Sequence, residues 1–145
     1  MQILLVEDNP ADVFLIQEAL RQEKINNSSL TVVMDGQEAL SCLHQEGKYA
    51  GVRQPDLILL DLNLPKKDGR AVLAEIKDDP FLLHIPVVVF TSSSAPRDIL
   101  QAYALSANCY IIKPLGLDDF FQVVQHVVEF WSMIAALPSR ASNIP

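Results

Sequence analysis

Basic residues are scarce in this chain. Eleven Lys and Arg stand against eighteen Asp and Glu, so the formal charge is -7. Sequence-independent nucleic-acid binding, which depends on cations neutralising phosphates, is excluded by that balance. Cysteine is rarer still: Cys42 and Cys109 are too few for a disulfide framework. No apolar run approaches the roughly 18 residues of a membrane span. Met1-Gln2 leads straight into Ile-Leu-Leu-Val without the charge and apolar plan of a signal peptide. These absences together predict a cytoplasmic protein in a reducing compartment, with neither nucleic acid nor membrane as partner. What is present is a chain of 145 residues, 50% hydrophobic, sized for one domain with a substantial core.

Short apolar runs alternate with longer segments of helical period. Strands are expected over 3–6, 30–33, 57–60, 87–90 and 109–112, all rich in Val, Ile and Leu without polar alternation. Such runs suit parallel strands covered on both faces. Helices are expected over 11 to about 23, 36 to about 46, 70 to about 77, 96 to about 105 and 117 to about 137. Asn9-Pro10 offers a cap followed by proline in the first turn, and Asp12 favours the positive end of the helix dipole. Asp68-Gly69 caps the third helix, and Asp118-Asp119 open the last. Five βα units with right-handed crossovers imply a doubly wound α/β sheet with helices on both faces. Residues 1–137 make the domain and 138–145 a loose tail.

In such a sheet, functional groups collect at the carboxyl ends of the strands. Here strand one ends in Glu7-Asp8, strand three in Asp61, strand four in Thr91-Ser92 and strand five in Lys113. Each could be bland singly: Asp8 part of a helix cap, Asp61 the start of a turn, Thr91 to Ser94 a capping loop, Lys113 a lysine before a turn. Jointly they form a pattern. If strands one and three are neighbours, three carboxylates converge and repel, unless one is protonated or a cation binds. All the ligands on offer are oxygens, so a hard ion such as Mg²⁺ fits better than Zn²⁺. Asp8 and Asp61 would hold it directly and Glu7 through water. With Lys113 and the Thr91 hydroxyl opposite, Asp61 reads as a nucleophile that forms an aspartyl phosphate.

The segments Leu5-Val6-Glu7-Asp8-Asn9, Leu60 to Gly69 (LDLNLPKKDG), Val89-Phe90-Thr91-Ser92-Ser93 and Tyr110-Ile111-Ile112-Lys113-Pro114 resemble the receiver domain of bacterial two-component response regulators. The resemblance covers nearly the whole chain. It implies a flavodoxin-like five-stranded sheet in the order 2-1-3-4-5, flanked by five helices. It makes Asp61 the phosphoacceptor, with Glu7, Asp8 and the Asn63 carbonyl serving Mg²⁺, and Thr91 and Lys113 binding the phosphoryl group. Tyr110 takes the aromatic switch position, turning inward as Thr91 moves, and the Lys113–Pro114 bond is expected to be cis. The stretch from Pro65 to Lys77, Ile85 to Thr91, Ala107 to Lys113 and the late Phe130-Trp131 are similar to the small response regulators of cyanobacterial phytochromes. That narrower resemblance implies a light-sensing histidine kinase as phosphoryl donor and a signalling role rather than an enzymatic one. The downstream reader is unknown.

The last helix points to a symmetric homodimer through it and its neighbours on the fourth-strand and fifth-strand side, the bland alternative being extra core packing. Leu117, Phe120, Phe121, Val124, Val127, Val128, Trp131 and Ile134 recur at helical spacing and can face the core. Val123, Phe130, Met133 and Leu137 form a second stripe, wider than one sheet face needs, with Trp131 as a candidate anchor. Rival classes fit less well. An aspartate-nucleophile hydrolase would carry its nucleophile after strand one, and a flavin carrier would place Ser, Thr and Gly where Glu7-Asp8-Asn9-Pro10 would repel phosphate. A receiver-like module that docks unphosphorylated is the strongest alternative. Cys42 and Cys109 read as structural, and His44, His84 and His126 are too scattered to form a site.

Overall fold

Asn9 does start the first helix: its Oδ1 accepts the Ala11 N–H at 2.9 Å and the Asp12 N–H at 3.4 Å. Asp35 and Asp68 cap two further helices, accepting the N–H groups of Glu38 and Arg70. The computed structural model describes residues 1–22 and 28–138. Its strands are β1 (Gln2–Val6), β2 (Ser29–Val33), β3 (Leu57–Leu60), β4 (Val87–Thr91) and β5 (Cys109–Ile112). Its helices are α1 (Pro10–Gln22), α2 (Gly36–Leu43), α3 (Gly69–Asp78), α4 (Pro96–Ala104) and α5 (Leu117–Glu129). The expected end of the first helix near Glu23, and the tail beyond Pro138, lie outside the described residues.

All strand pairs are parallel, in the order β2-β1-β3-β4-β5. The order reverses between β1 and β3, where Val6 pairs with Leu60, so Glu7 and Asp61 leave the sheet side by side. The strand period of two divides the core. Leu4, Val6, Ile58, Leu60, Val87 and Val89 face α2 and α3, while Ile3, Leu5, Leu57, Leu59, Val88 and Phe90 face α1 and α5. β1, β3 and β4 are therefore covered on both sides. β5 departs from that expectation: at the sheet edge it is only half-buried, and Ile112 is exposed.

The end of the last helix corrects its expected form. α5 stops at Glu129, and Phe130–Ile134 makes a π turn closed by the Ala135 N–H on the Phe130 carbonyl at 2.8 Å. A π turn holds an extra residue, which shifts the phase of every side chain after it. Leu137, placed in the outer stripe, is therefore buried at 2% exposure, while Ile134, placed in the core stripe, is 70% exposed. Leu117 is 54% exposed because it opens the helix beyond the sheet. Phe120, Val124 and Val128 do form the core seam.

Gly69 fastens α3 to the loop after β3. A Cβ there would meet the Asp61 carbonyl oxygen at 2.2 Å and the Leu62 Cα at 2.6 Å, both backbone atoms that cannot step aside. Gly69→Ala is expected to cost about 1–3 kcal/mol by overpacking. Urea unfolding measures that cost, and an unchanged midpoint would show that this contact is slack.

Candidate functional site

Three carboxylates meet where β1 and β3 end. One oxygen each from Glu7, Asp8 and Asp61 lies within 4.8 Å of the other two. Glu7 is 1% exposed and Asp61 7%, while Asp8 faces solvent. β1 and β3 carry their backbones there, held by the Glu7 N–H on the Val33 carbonyl and the Asp61 N–H on the Val6 carbonyl, both at 3.0 Å. The fully covered strand behind each carboxylate leaves it no freedom to retreat into solvent.

Lys113 neutralises the cluster from the end of β5. Its Nζ donates to Glu7 Oε1, to Asp12 Oδ2 at 2.8 Å and to Asp61 Oδ2 at 3.1 Å. All three donor hydrogens thus have carboxyl acceptors, with the lysine side chain 8% exposed. The Lys113 N–H also donates to the Thr91 carbonyl at 2.7 Å, tying β5 to β4 at the site. Every peptide bond among the described residues is trans, including Lys113–Pro114, which corrects the expected cis bond. Trans is the lower-energy isomer of an X–Pro bond by about 0.5–1 kcal/mol, and in it the ammonium already reaches its three carboxylates.

Burial drives the Glu7 carboxyl up to about 7, against the lowering effect of Lys113 and with a further push from Asp61. Burial also raises Asp61, but hydrogen bonding from Glu7, the Lys113 charge and the nearby Thr91 hydroxyl outweigh it and hold Asp61 below its ordinary value. Asp61 is therefore the ionised member of the pair and Glu7 the one that readily carries a proton. Lys113 is raised: desolvation works against its charge, and bonds to Asp12 and Glu7 more than reverse that. A bound divalent cation would displace the Glu7 proton, so the donor set suits a hard ion held by oxygens.

Asn63 is exposed, and its N–H lies 3.4 Å from Asp61 Oδ1. Thr91 is fully buried, and its Oγ1 has no hydrogen-bond partner although it faces Asp61 closely enough to favour the ionised form. A buried hydroxyl without a partner is costly. Tyr110, half-buried, donates its hydroxyl to the Ser93 carbonyl at 2.9 Å. Trp131 and Phe130 stand apart from this cluster, edge to face at 5.2 Å, with Phe130 45% exposed.

Sequence reasoning assigned Asp12 only to the helix dipole, whereas it grips the site lysine. The available signal was its place in the first turn of α1, directly after the loop that carries Glu7 and Asp8. The network around Ser93 was also missed, because its members Arg70 and Asp98 belong to different helices.

The response regulator receiver domain model matches residues 3–125. Response regulator Rcp1 of Synechocystis sp. is 49% identical over 137 residues, covering 94% of this chain and 92% of that protein. The phosphorylated cyanobacterial phytochrome response regulator RcpA is 55% identical with a TM-score of 0.90, covering 94% of this chain and 97% of that one. The Mn²⁺-bound form of Rcp1 superposes with the same TM-score of 0.90, covering 94% of this chain and 98% of that one. The sheet order agrees with these matches, the family model covers most of the chain, and the chain belongs to the response regulator receiver domain family.

Proposed function

We propose that Asp61 accepts a phosphoryl group from a phosphohistidine of a sensor histidine kinase of the phytochrome type, and that the protein signals through the conformational change that follows. The observation that carries this reading is the Asp61 surroundings: an ionised carboxylate with an ammonium at 3.1 Å and an unpartnered buried hydroxyl facing it. Mg²⁺ held by Glu7, Asp8, Asp61 and the Asn63 carbonyl would neutralise charge on the transferring group. In the transfer, an Asp61 oxygen forms the new O–P bond as the N–P bond of the donor breaks, its electron pair returning to the imidazole nitrogen. Lys113 and the Thr91 hydroxyl then engage the phosphoryl oxygens. The bound phosphoryl group favours the loop arrangement in which Thr91 faces Asp61, and Tyr110, bonded to the Ser93 carbonyl, goes with it, shifting a two-state equilibrium read by a downstream protein.

Dimerisation through the α4–β5–α5 side belongs to the same reading. An apolar groove of about 470 Å³, lined by Val88, Cys109, Ile111, Val127, Phe130 and Trp131, runs beside the edge strand. No helix among the described residues is long and apolar enough to cross a membrane.

Intact-mass analysis after incubation with Mg²⁺ and acetyl phosphate tests the phosphoacceptor. One phosphate adduct is expected on the wild type, with none when Mg²⁺ is chelated and none on Asp61→Asn. An adduct that persists on Asp61→Asn would sink the assignment. Absence of both adduct and Mg²⁺ binding on the wild type would favour the unphosphorylated docking module.

A further inference from the structure

The loop that leaves Thr91 is exposed at residues 94–97, yet it directly follows the residue whose hydroxyl faces Asp61, and its Ser93 carbonyl accepts the Tyr110 hydroxyl. The sheet secures the backbone only as far as Thr91, which pairs with Ile112. Beyond that point the loop is held by side chains. Ser93 Oγ donates to Asp98 Oδ2 at 2.6 Å and accepts the Ala95 N–H at 3.3 Å. Asp98, in the first turn of α4, receives the Arg70 guanidinium on Oδ1 at 2.9 Å. Arg70, in the first turn of α3, also reaches Asp68 Oδ1 at 3.2 Å. The Arg70 and Asp98 side chains are only 24% and 18% exposed, so solvent screens the pair incompletely.

Arg70 is well placed to anchor something. It directly follows Gly69, whose backbone is pressed against that of Asp61 and Leu62. A continuous path thus runs from the Asp61 main chain through Gly69 and Arg70 to Asp98, Ser93 and, through the Ser93 carbonyl, the Tyr110 hydroxyl.

Resting on the phosphoacceptor reading, we infer that Arg70 and Asp98 form a latch that holds the β4–α4 loop closed before the phosphoryl group arrives. Both are positioning residues, acting through Ser93 and Tyr110. With the latch closed, the Thr91 hydroxyl already faces Asp61, and the cost of leaving it unpartnered is borne by the fixed loop until a phosphoryl oxygen accepts from it. With the latch broken, the loop samples open arrangements. The apparent affinity for a phosphoryl group then falls by the fraction of molecules that remain competent.

The experiment titrates beryllofluoride, a noncovalent stand-in for the phosphoryl group, with saturating Mg²⁺ into the wild type, Asp98→Asn, Arg70→Gln and the double variant. Each single variant is expected to bind about two- to thirty-fold more weakly, and the double variant no more weakly than the worse single one, the mark of one shared interaction. Arg70→Lys, which keeps the charge but not the planar fork, should recover part of the loss. Urea unfolding of the same variants separates a merely structural ion pair from a latch. Lowered stability with unchanged beryllofluoride affinity would overturn the latch and leave the phosphoacceptor reading intact, as would tighter binding or additive losses. A wild type that takes no beryllofluoride would overturn both.

Discussion

Lys113→Met is expected to lower the unfolding free energy by about 3–5 kcal/mol in magnesium-free buffer at pH 8, the scale of removing one partner from a buried ion cluster. The methionine keeps the length and apolar stem, so the loss measures the ammonium. Without it, Glu7 and Asp61 share a space from which water is largely excluded, at 1% and 7% exposure. The loss should shrink at acid pH. The folded-state pKa of Glu7, about 7, lies above its ordinary 4.5. A carboxyl raised in this way favours folding while it is protonated and penalises it as pH rises from about 4.5 through 7. Removing Lys113, which opposes that rise, widens the window upward and enlarges the penalty at pH 8 relative to pH 6. Millimolar Mg²⁺ should restore much of the loss, because a cation on the three carboxylates replaces the missing charge and binds only the folded state. Urea unfolding with and without Mg²⁺ at both pH values reads all of this. A variant as stable as wild type in chelator at pH 8 would mean that the carboxylates are relieved by something other than Lys113.

Phe120→Ala should cost about 3–5 kcal/mol, the range for emptying a buried aromatic site. Phe120 is 3% exposed and meets the Phe90 ring at 5.3 Å, tilted by 60°. It forms the seam between α5 and the sheet together with Val124 and Val128, and the Phe90 ring it meets lies 5.9 Å from Lys113 Nζ. The cavity therefore opens beneath the site lysine, and the variant should also bind Mg²⁺ more weakly. Phe130→Ala is the contrasting case, ten residues on in the same chain direction but 45% exposed. Its effect on unfolding should stay within about 0.5 kcal/mol, as for surface positions. In sedimentation experiments it should instead move the proposed dimer toward monomer. If Phe120→Ala proved as mild as Phe130→Ala, α5 would not be the clamp on this face of the sheet.

The legible part of the sequence was the part where local chemistry and global plan coincide. Leu57 to Leu60 could be read as a covered strand because no position in it is polar, and Asp61 stood out because the next residue is charged. Asn9 and Asp68 announced helix starts since a cap is a contact between near neighbours in sequence. α5 was readable to Val128 but not past Glu129. A π turn is one inserted residue in a hydrogen-bond ladder, and no residue type between Phe130 and Ile134 demands it. The phase it shifts decided which of Ile134 and Leu137 enters the core.

The sequence by itself determined the α/β class, the strand ends that carry function and the oxygen-only character of the site, because periodicity and residue chemistry are local. Only the tertiary structure decided that Asp12 shares Lys113 with Glu7 and Asp61, that Glu7 rather than Asp61 readily holds a proton, and that Arg70 reaches Asp98. Those facts depend on distances between residues far apart in the chain and on how much water each burial excludes. Neither is written in any one segment; both arise when β1, β3 and β5 end at the same edge of one sheet.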